Sequence, residues 1–128
     1  MTRGRILCLE DDPDTCEVVT ILLQRDGYEV VTAGTIAEAL RLVAGEGFLL
    51  YIVDERLPDG DGIDFIRQVR AADSKTPIIV HSAAAFPQEI DAALAAGADD
   101  YLVKPEGWAK LPGAVGSLLR RSVNTEGG

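Results

Sequence analysis

The 128-residue chain is short of several things, and each shortage removes a class of explanation. It has two cysteines, Cys8 in an apolar run and Cys16 in a helix-like segment, whose spacing fits neither a disulfide framework nor a metal pair of the C-x-x-C kind. A reducing, cytoplasmic setting is expected. Positive charge is scarce: 12 Lys and Arg stand against 21 Asp and Glu, a net charge of -9. Nucleic acid and anionic membranes are repelled on average, and no direct partnership with either is expected. Long apolar runs are missing too. The start, "MTRGRILCLEDD", reaches its acids too early for a secretion signal, and nothing approaches the roughly 18 residues that span a bilayer. No glycine-rich phosphate loop follows the first apolar run, which counts against a flavin or nucleotide binder.

What is present is 47% apolar residues, enough to bury a core in one domain without staples. A single domain over residues 1–128 is expected, with a core over about 5–121 and a mobile tail over 122–128. Short apolar runs alternate with amphipathic stretches. "RILCL" reads as a strand, and "PDTCEVVTILLQRDG" as a helix with Val18, Val19, Leu22 and Leu23 at helical spacing. Asp12 suits its cap, Pro13 its first turn and Gly27 its end. "YEVVT" is a more polar second strand, and Thr35 and Glu38 open a second helix in capping-box spacing, with Ile36, Leu40 and Val43 on one face.

The pattern continues with "FLLYIVD" as strand, "GIDFIRQVRAAD" as helix with Ile63, Ile66 and Val69 inward, "PIIVHS" as strand, "PQEIDAALAAG" as helix and "DDYLVKP" as strand. Trp108, Leu111, Val115, Leu118 and Leu119 keep helical spacing, but Pro112, Gly113 and Gly116 predict a last helix that starts late or kinks near Pro112. Five strand-helix units imply an α/β fold, a doubly wound parallel sheet of order 2-1-3-4-5 in flavodoxin-like topology, with "YEVVT" at an edge.

In such sheets, function sits at the carboxyl ends of strands. Strand one ends in Glu10, Asp11 and Asp12, strand three in Asp54, strand four in His81 and Ser82, and strand five in Lys104 and Pro105. Glu10, Asp11 and Asp54 therefore converge in one crevice, where like charges raise one another's pKa unless a cation compensates. Oxygen ligands with room for water suit Mg2+. Two acids on a metal, a lysine and a hydroxyl around a central carboxylate make a site for phosphoryl transfer to Asp54. Asp12 reads as a helix cap. Asp59 and Asp61 read as turn residues, with Gly60 and Gly62 supplying positive φ, and Asp99 and Asp100 as solvated loop acids. The one histidine, His81, reads as a packing residue or a modulator beside the site.

"ILCLEDD", "VDERLPDGDG", "HSA" and "YLVKP", in that order at the ends of those strands, resemble the motifs of the receiver domain of two-component response regulators over about Arg5 to Arg121. The resemblance implies that Asp54 is the phosphoacceptor and that Asp11 ligates the metal directly, with Glu10 acting largely through water and the Arg56 backbone carbonyl completing the protein ligands. It further implies that Ser82 and Lys104 hold the phosphoryl group, that Tyr101 is a switch residue changing rotamer with Ser82, and that the Lys104-Pro105 bond is cis. The implied donor is a sensor histidine kinase or phosphotransfer protein. The implied reader is a downstream protein target or output domain, with a phosphorylation-dependent homodimer as a further option. The implied protein is a signalling domain and not an enzyme, beyond its own phosphorylation and slow autodephosphorylation. The sequence departs from the pattern at Glu106, where the family usually has Phe, in the small apolar "AAAFP" loop and at Pro112 and Gly113; these bear on the output face.

Two alternatives compete. A receiver-like interaction module that is never phosphorylated would not need the complete acceptor set. A phosphatase of the haloacid-dehalogenase type needs a second acid two residues after the nucleophile, and that position is Arg56.

Overall fold

In a computed structural model, described over residues 2–45, 47–83 and 86–127 with the side chains of 122–127 left out, β1 (Arg5–Leu9) runs through the middle of a parallel sheet. It pairs on one side with β2 (Glu29–Ala33), Leu7 beside Val31, and on the other with β3 (Leu50–Val53), Leu7 beside Tyr51. β3 pairs with β6 (Ile78–Ser82), and β6 with β7 (Asp100–Val103). The order β2-β1-β3-β6-β7 is the expected one, because two further strands, β4 (Arg56–Leu57) and β5 (Gly60–Asp61), only pair with each other. The stretch read as a turn after Asp54 is thus a small antiparallel hairpin.

Strand polarity follows position. β1, β3 and β6 are buried along almost their whole length, as strands covered on both faces must be, whereas β2 and β7 at the edges are partly exposed. Alternation along β1 sends Leu7 and Leu9 to one layer, with Tyr51, Val53, Phe65, Ile66, Ile78 and Val80. It sends Ile6 and Cys8 to the other, with Val19, Leu23, Ile52, Ile79, Leu111 and Val115. Each fully buried Leu or Ile contributes about 1.5–3 kcal/mol.

The helices start where the sequence offers caps. α1 (Pro13–Gln24) has Asp12 at its N-cap, accepting from the Thr15 N–H at 3.1 Å and the Thr15 hydroxyl at 2.6 Å, and Gly27 turns the chain out of it at φ 91°. α2 (Ile36–Gly45) has half of the expected capping box, the Glu38 N–H donating to the Thr35 hydroxyl. Its other free donors, the Ile36 and Ala37 N–H groups, reach Asp59 at 2.8 and 3.1 Å. Asp59 is therefore a cap for a distant helix and not a residue serving its own turn. Asp61 caps α3 (Gly62–Ala72) by accepting from the Ile63 N–H. Gly60 has the expected positive φ, 150°, but Gly62 does not. Gly62 is required by proximity: a Cβ there would lie 2.0 Å from the Asp54 carbonyl oxygen.

Asp99 is more than a solvated acid. Its carboxylate accepts from the Ile78 N–H at 2.8 Å and pairs with Arg70 at 3.1 Å, tying α3 to the amino end of β6. α4 (Pro87–Ala96) follows β6. α5 (Gly107–Gly127) neither starts late nor breaks at Pro112. A proline inside a helix costs about 3 kcal/mol, and burial of Leu111, Val115 and Leu118 in the second core layer outweighs that. The expected mobile tail falls on residues whose side chains lie outside the described set, and the "AAAFP" loop is described only in part. Among the described residues no helix is long and apolar enough to cross a membrane.

Candidate functional site

The carboxyl ends of β1, β3, β6 and β7 bring the expected residues to one rim. The Asp54 N–H continues the ladder, donating to the Leu9 carbonyl at 2.9 Å, so the backbone of Asp54 is held as rigidly as the strand it follows. Carboxylate oxygens of Glu10, Asp11 and Asp54 lie within 4.8 Å of one another, with Glu10 buried, Asp54 half-buried and Asp11 exposed. Lys104 reaches in from the end of β7, its Nζ 2.5 Å from Glu10 Oε1 and 3.6 Å from Asp54 Oδ2. Asp54 Oδ1 accepts from the Glu55 N–H at 2.8 Å. Ser82 ends β6, buried, and its carbonyl accepts from the Lys104 N–H at 2.8 Å. The Lys104-Pro105 bond is cis.

The electrostatics follow from crowding. Burial pushes Glu10 up to about 7, and the charge of Asp54 adds to this while the Lys104 contact opposes it. Burial works against the Lys104 charge, but its contacts with Glu10 and Asp54 outweigh that and hold it above the ordinary lysine value. One ammonium thus serves two carboxylates and leaves the third, Asp11, facing solvent. A hard divalent cation with oxygen ligands fits this donor set, which carries more negative charge than the lysine offsets.

Tyr101, on β7, is half-buried against the first core layer, and the Ser82 hydroxyl and the Glu55 carboxyl are among the groups that act on its phenol. Burial pushes the phenol up to about 12. Arg56 opens β4 in register with Asp61, its side chain exposed. His81 lies 2% exposed with its ring 6.2 Å from that of Trp108, and its Nε2 has no hydrogen-bond partner. Burial, then the Lys104 charge, lowers its pKa to about 4. It sits one residue before Ser82 on β6, buried beside Trp108.

Glu55 was not anticipated. It is 6% exposed, its carboxyl raised by burial, and one oxygen has no partner. One signal was available: Tyr51 and Val53 face the first core layer from β3, and Glu55, two residues past the end of the strand, continues their alternation.

A parallel sheet with an acidic crevice at its switch point, a lysine across it and a hydroxyl beside it define a doubly wound α/β domain with its site at the carboxyl ends of the strands. Comparison with known proteins makes this specific. Residues 6–116 match the response regulator receiver domain, and the chain belongs to that family. It is 38% identical over 125 residues to the transcriptional regulatory protein PrrA of Mycobacterium tuberculosis, covering 98% of this chain and 54% of that protein. It is 41% identical over 120 residues to the KDP operon transcriptional regulatory protein KdpE of Escherichia coli, covering 94% and 53%. Among solved structures, the CheY-like receiver domain protein of Methanospirillum hungatei superimposes with a TM-score of 0.90 at 28% identity, covering 95% and 98%. The chain spans about half the length of these curated relatives. It is a receiver domain of two-component signalling.

Proposed function

We propose that Asp54 is the phosphoacceptor and that its phosphorylation changes the surface around Tyr101. The observation that carries this is the position of Asp54: a carboxylate fixed by the β1 ladder, 3.6 Å from the Lys104 ammonium and within 4.8 Å of two more acids. An Asp54 oxygen attacks the phosphorus of a donor phosphohistidine, the P–N bond breaks and the donor imidazole leaves, so one bond replaces another. Lys104, 3.6 Å from Asp54 Oδ2, neutralises phosphoryl oxygens as they approach. Glu10, Asp11, Asp54 and the Arg56 carbonyl would hold Mg2+, which when bound supplies further charge neutralisation. Ser82 donates its hydroxyl to the phosphoryl group. Because the Ser82 hydroxyl and the Glu55 carboxyl both act on the Tyr101 phenol, movement of that hydroxyl redistributes Tyr101, and a two-state surface shifts.

The donor is a sensor histidine kinase or phosphotransfer protein. The reader is a downstream protein or an output domain, as the names of the transcriptional relatives suggest, and any DNA contact belongs to that domain. Arg56, in place of the acid a phosphatase needs, favours a switch over turnover. Incubation with Mg2+ and acetyl phosphate followed by intact mass tests the reading. The native chain gains one phosphoryl group that mild base removes, and Asp54→Asn gains none. No gain in the native chain, or an equal gain in Asp54→Asn, refutes it.

A further inference from the structure

Glu10 and Asp11 follow β1, whereas Asp54 and Arg56 follow β3, so a cation shared by all four needs the two loops held at a fixed separation. One junction touches both loops. It runs from Ala33, the last residue of β2, to Ala37 in the first turn of α2, and its Ala33 carbonyl accepts from the Glu10 N–H at 2.9 Å. The same junction donates to Asp59, the Ile36 N–H to Oδ1 at 2.8 Å and the Ala37 N–H to Oδ2 at 3.1 Å. Both oxygens of that exposed carboxylate are engaged, and the two bonds hold Asp59 below its ordinary pKa. Burial of Ile36 and Ala39 in the first core layer makes α2 a firm anchor. Asp59 sits at the tip of the β4–β5 hairpin, between the paired residues Leu57 and Gly60. The rest of the hairpin is tightly tied: Arg56 pairs with Asp61, the Gly62 N–H donates to the Glu55 carbonyl at 2.8 Å, and Leu57 packs on the first core layer. Gly60 approaches α2 so closely that a Cβ there would lie 3.2 Å from Ile36 Cδ1.

We propose that Asp59 is a positioning residue for the cation site: it braces the hairpin after Asp54 on the β2–α2 junction that also holds Glu10, and so sets where Asp54 and the Arg56 carbonyl stand relative to Glu10 and Asp11. The proposal rests on the reading of those four groups as Mg2+ ligands. Mg2+ demands near-ideal octahedral geometry and short oxygen distances. A hairpin released at its tip therefore carries a ligand out of reach without removing one. Asp59 is not among the clustered acids, so its replacement leaves every ligand in the chain. Two effects of losing Asp59 compete with this one, a weaker α2 and one negative charge fewer near the site, and each has its own control.

The test compares the native chain with Asp59→Ala, Asp59→Asn and Thr35→Ala, by NMR titration with Mg2+ and by amide hydrogen exchange of the metal-free proteins. Thr35→Ala removes the hydroxyl that accepts from the Glu38 N–H, weakening the same end of α2 without touching the hairpin. Asp59→Ala should raise the Mg2+ dissociation constant severalfold and speed exchange of the Gly62 amide. Asp59→Asn, which keeps a carbonyl oxygen for one N–H but lacks the charge, should recover part of both. Thr35→Ala should lower the urea midpoint and leave Mg2+ affinity and Gly62 exchange at their native values. Mg2+ affinity as weak in Asp59→Asn as in Asp59→Ala marks a charge effect and overturns the proposal. So does equal weakening in Thr35→Ala, which marks helix stability, or native affinity in Asp59→Ala. If the native chain takes up no Mg2+, the ligand reading fails there and the cation half falls with it. Faster Gly62 exchange in Asp59→Ala then upholds the brace, and unchanged exchange overturns that too.

Discussion

Replacing His81 with leucine isolates the pH dependence that one buried imidazole builds into the fold. The ring is 2% exposed, packs near Trp108 and has an unpartnered Nε2, and its pKa falls from 6.5 to about 4. The folded value lies below the unfolded one, so the unfolded chain binds more protons between them. The contribution of His81 to stability is complete above about pH 6.5 and is lost as pH falls toward 4. Linkage over that shift amounts to about 3 kcal/mol in full, and to about 2 kcal/mol between about pH 7.5 and pH 5. Glu10 acts in the same window with the opposite sign. Its folded value is raised from 4.5 to about 7, so its contribution is complete below about 4.5 and lost as pH rises through 7. The native chain alone would show the two nearly cancelling, and a difference measurement is needed.

Glu10 is present in both proteins, so subtracting His81→Leu from native removes it. Urea unfolding from about pH 7.5 to pH 5, without Mg2+, should show native losing about 2 kcal/mol relative to the variant, at unchanged slope of free energy against urea. The constant offset reads the removal of an orphan nitrogen and repacking, and only its pH dependence bears on the titration. A difference flat across that range would refute the claim that burial holds His81 neutral.

Two structural predictions follow from contacts around the acceptor loop. Gly62→Ala places a Cβ against the Asp54 carbonyl and should cost about 1–3 kcal/mol in urea unfolding, as overpacking does, and slow phosphorylation because the Asp54 backbone moves; unchanged values would refute the close approach. Asp59→Ala removes the acceptor of the Ile36 and Ala37 N–H groups and should lower the urea midpoint, with Asp59→Asn recovering part of it through the remaining amide oxygen; equal loss in both would deny the capping role.

The sequence by itself determined the sheet. Periodicity separated strands from helices, the apolar runs of β1, β3, β6 and β7 marked them as covered on both faces, which holds for all but the partly exposed β7, and the polar "YEVVT" marked an edge. Given that order, Glu10, Asp11, Asp54, Ser82 and Lys104 had to meet, because strand ends in a doubly wound sheet share a rim. Local chemistry also fixed caps that act within a few residues, as Asp12 does on Thr15.

Only tertiary structure decided contacts between residues that no local spacing relates. Asp59 looks like a turn acid until α2 is seen to end its N-terminus on it. Gly62 looks like a φ requirement until the Asp54 carbonyl is seen beside it. Pro112 should interrupt a helix, but a local cost of about 3 kcal/mol is outweighed by an apolar stripe that finds its core only after folding. Periodicity reports which face of an element is buried. It cannot report what that face meets, since that depends on how the elements stack.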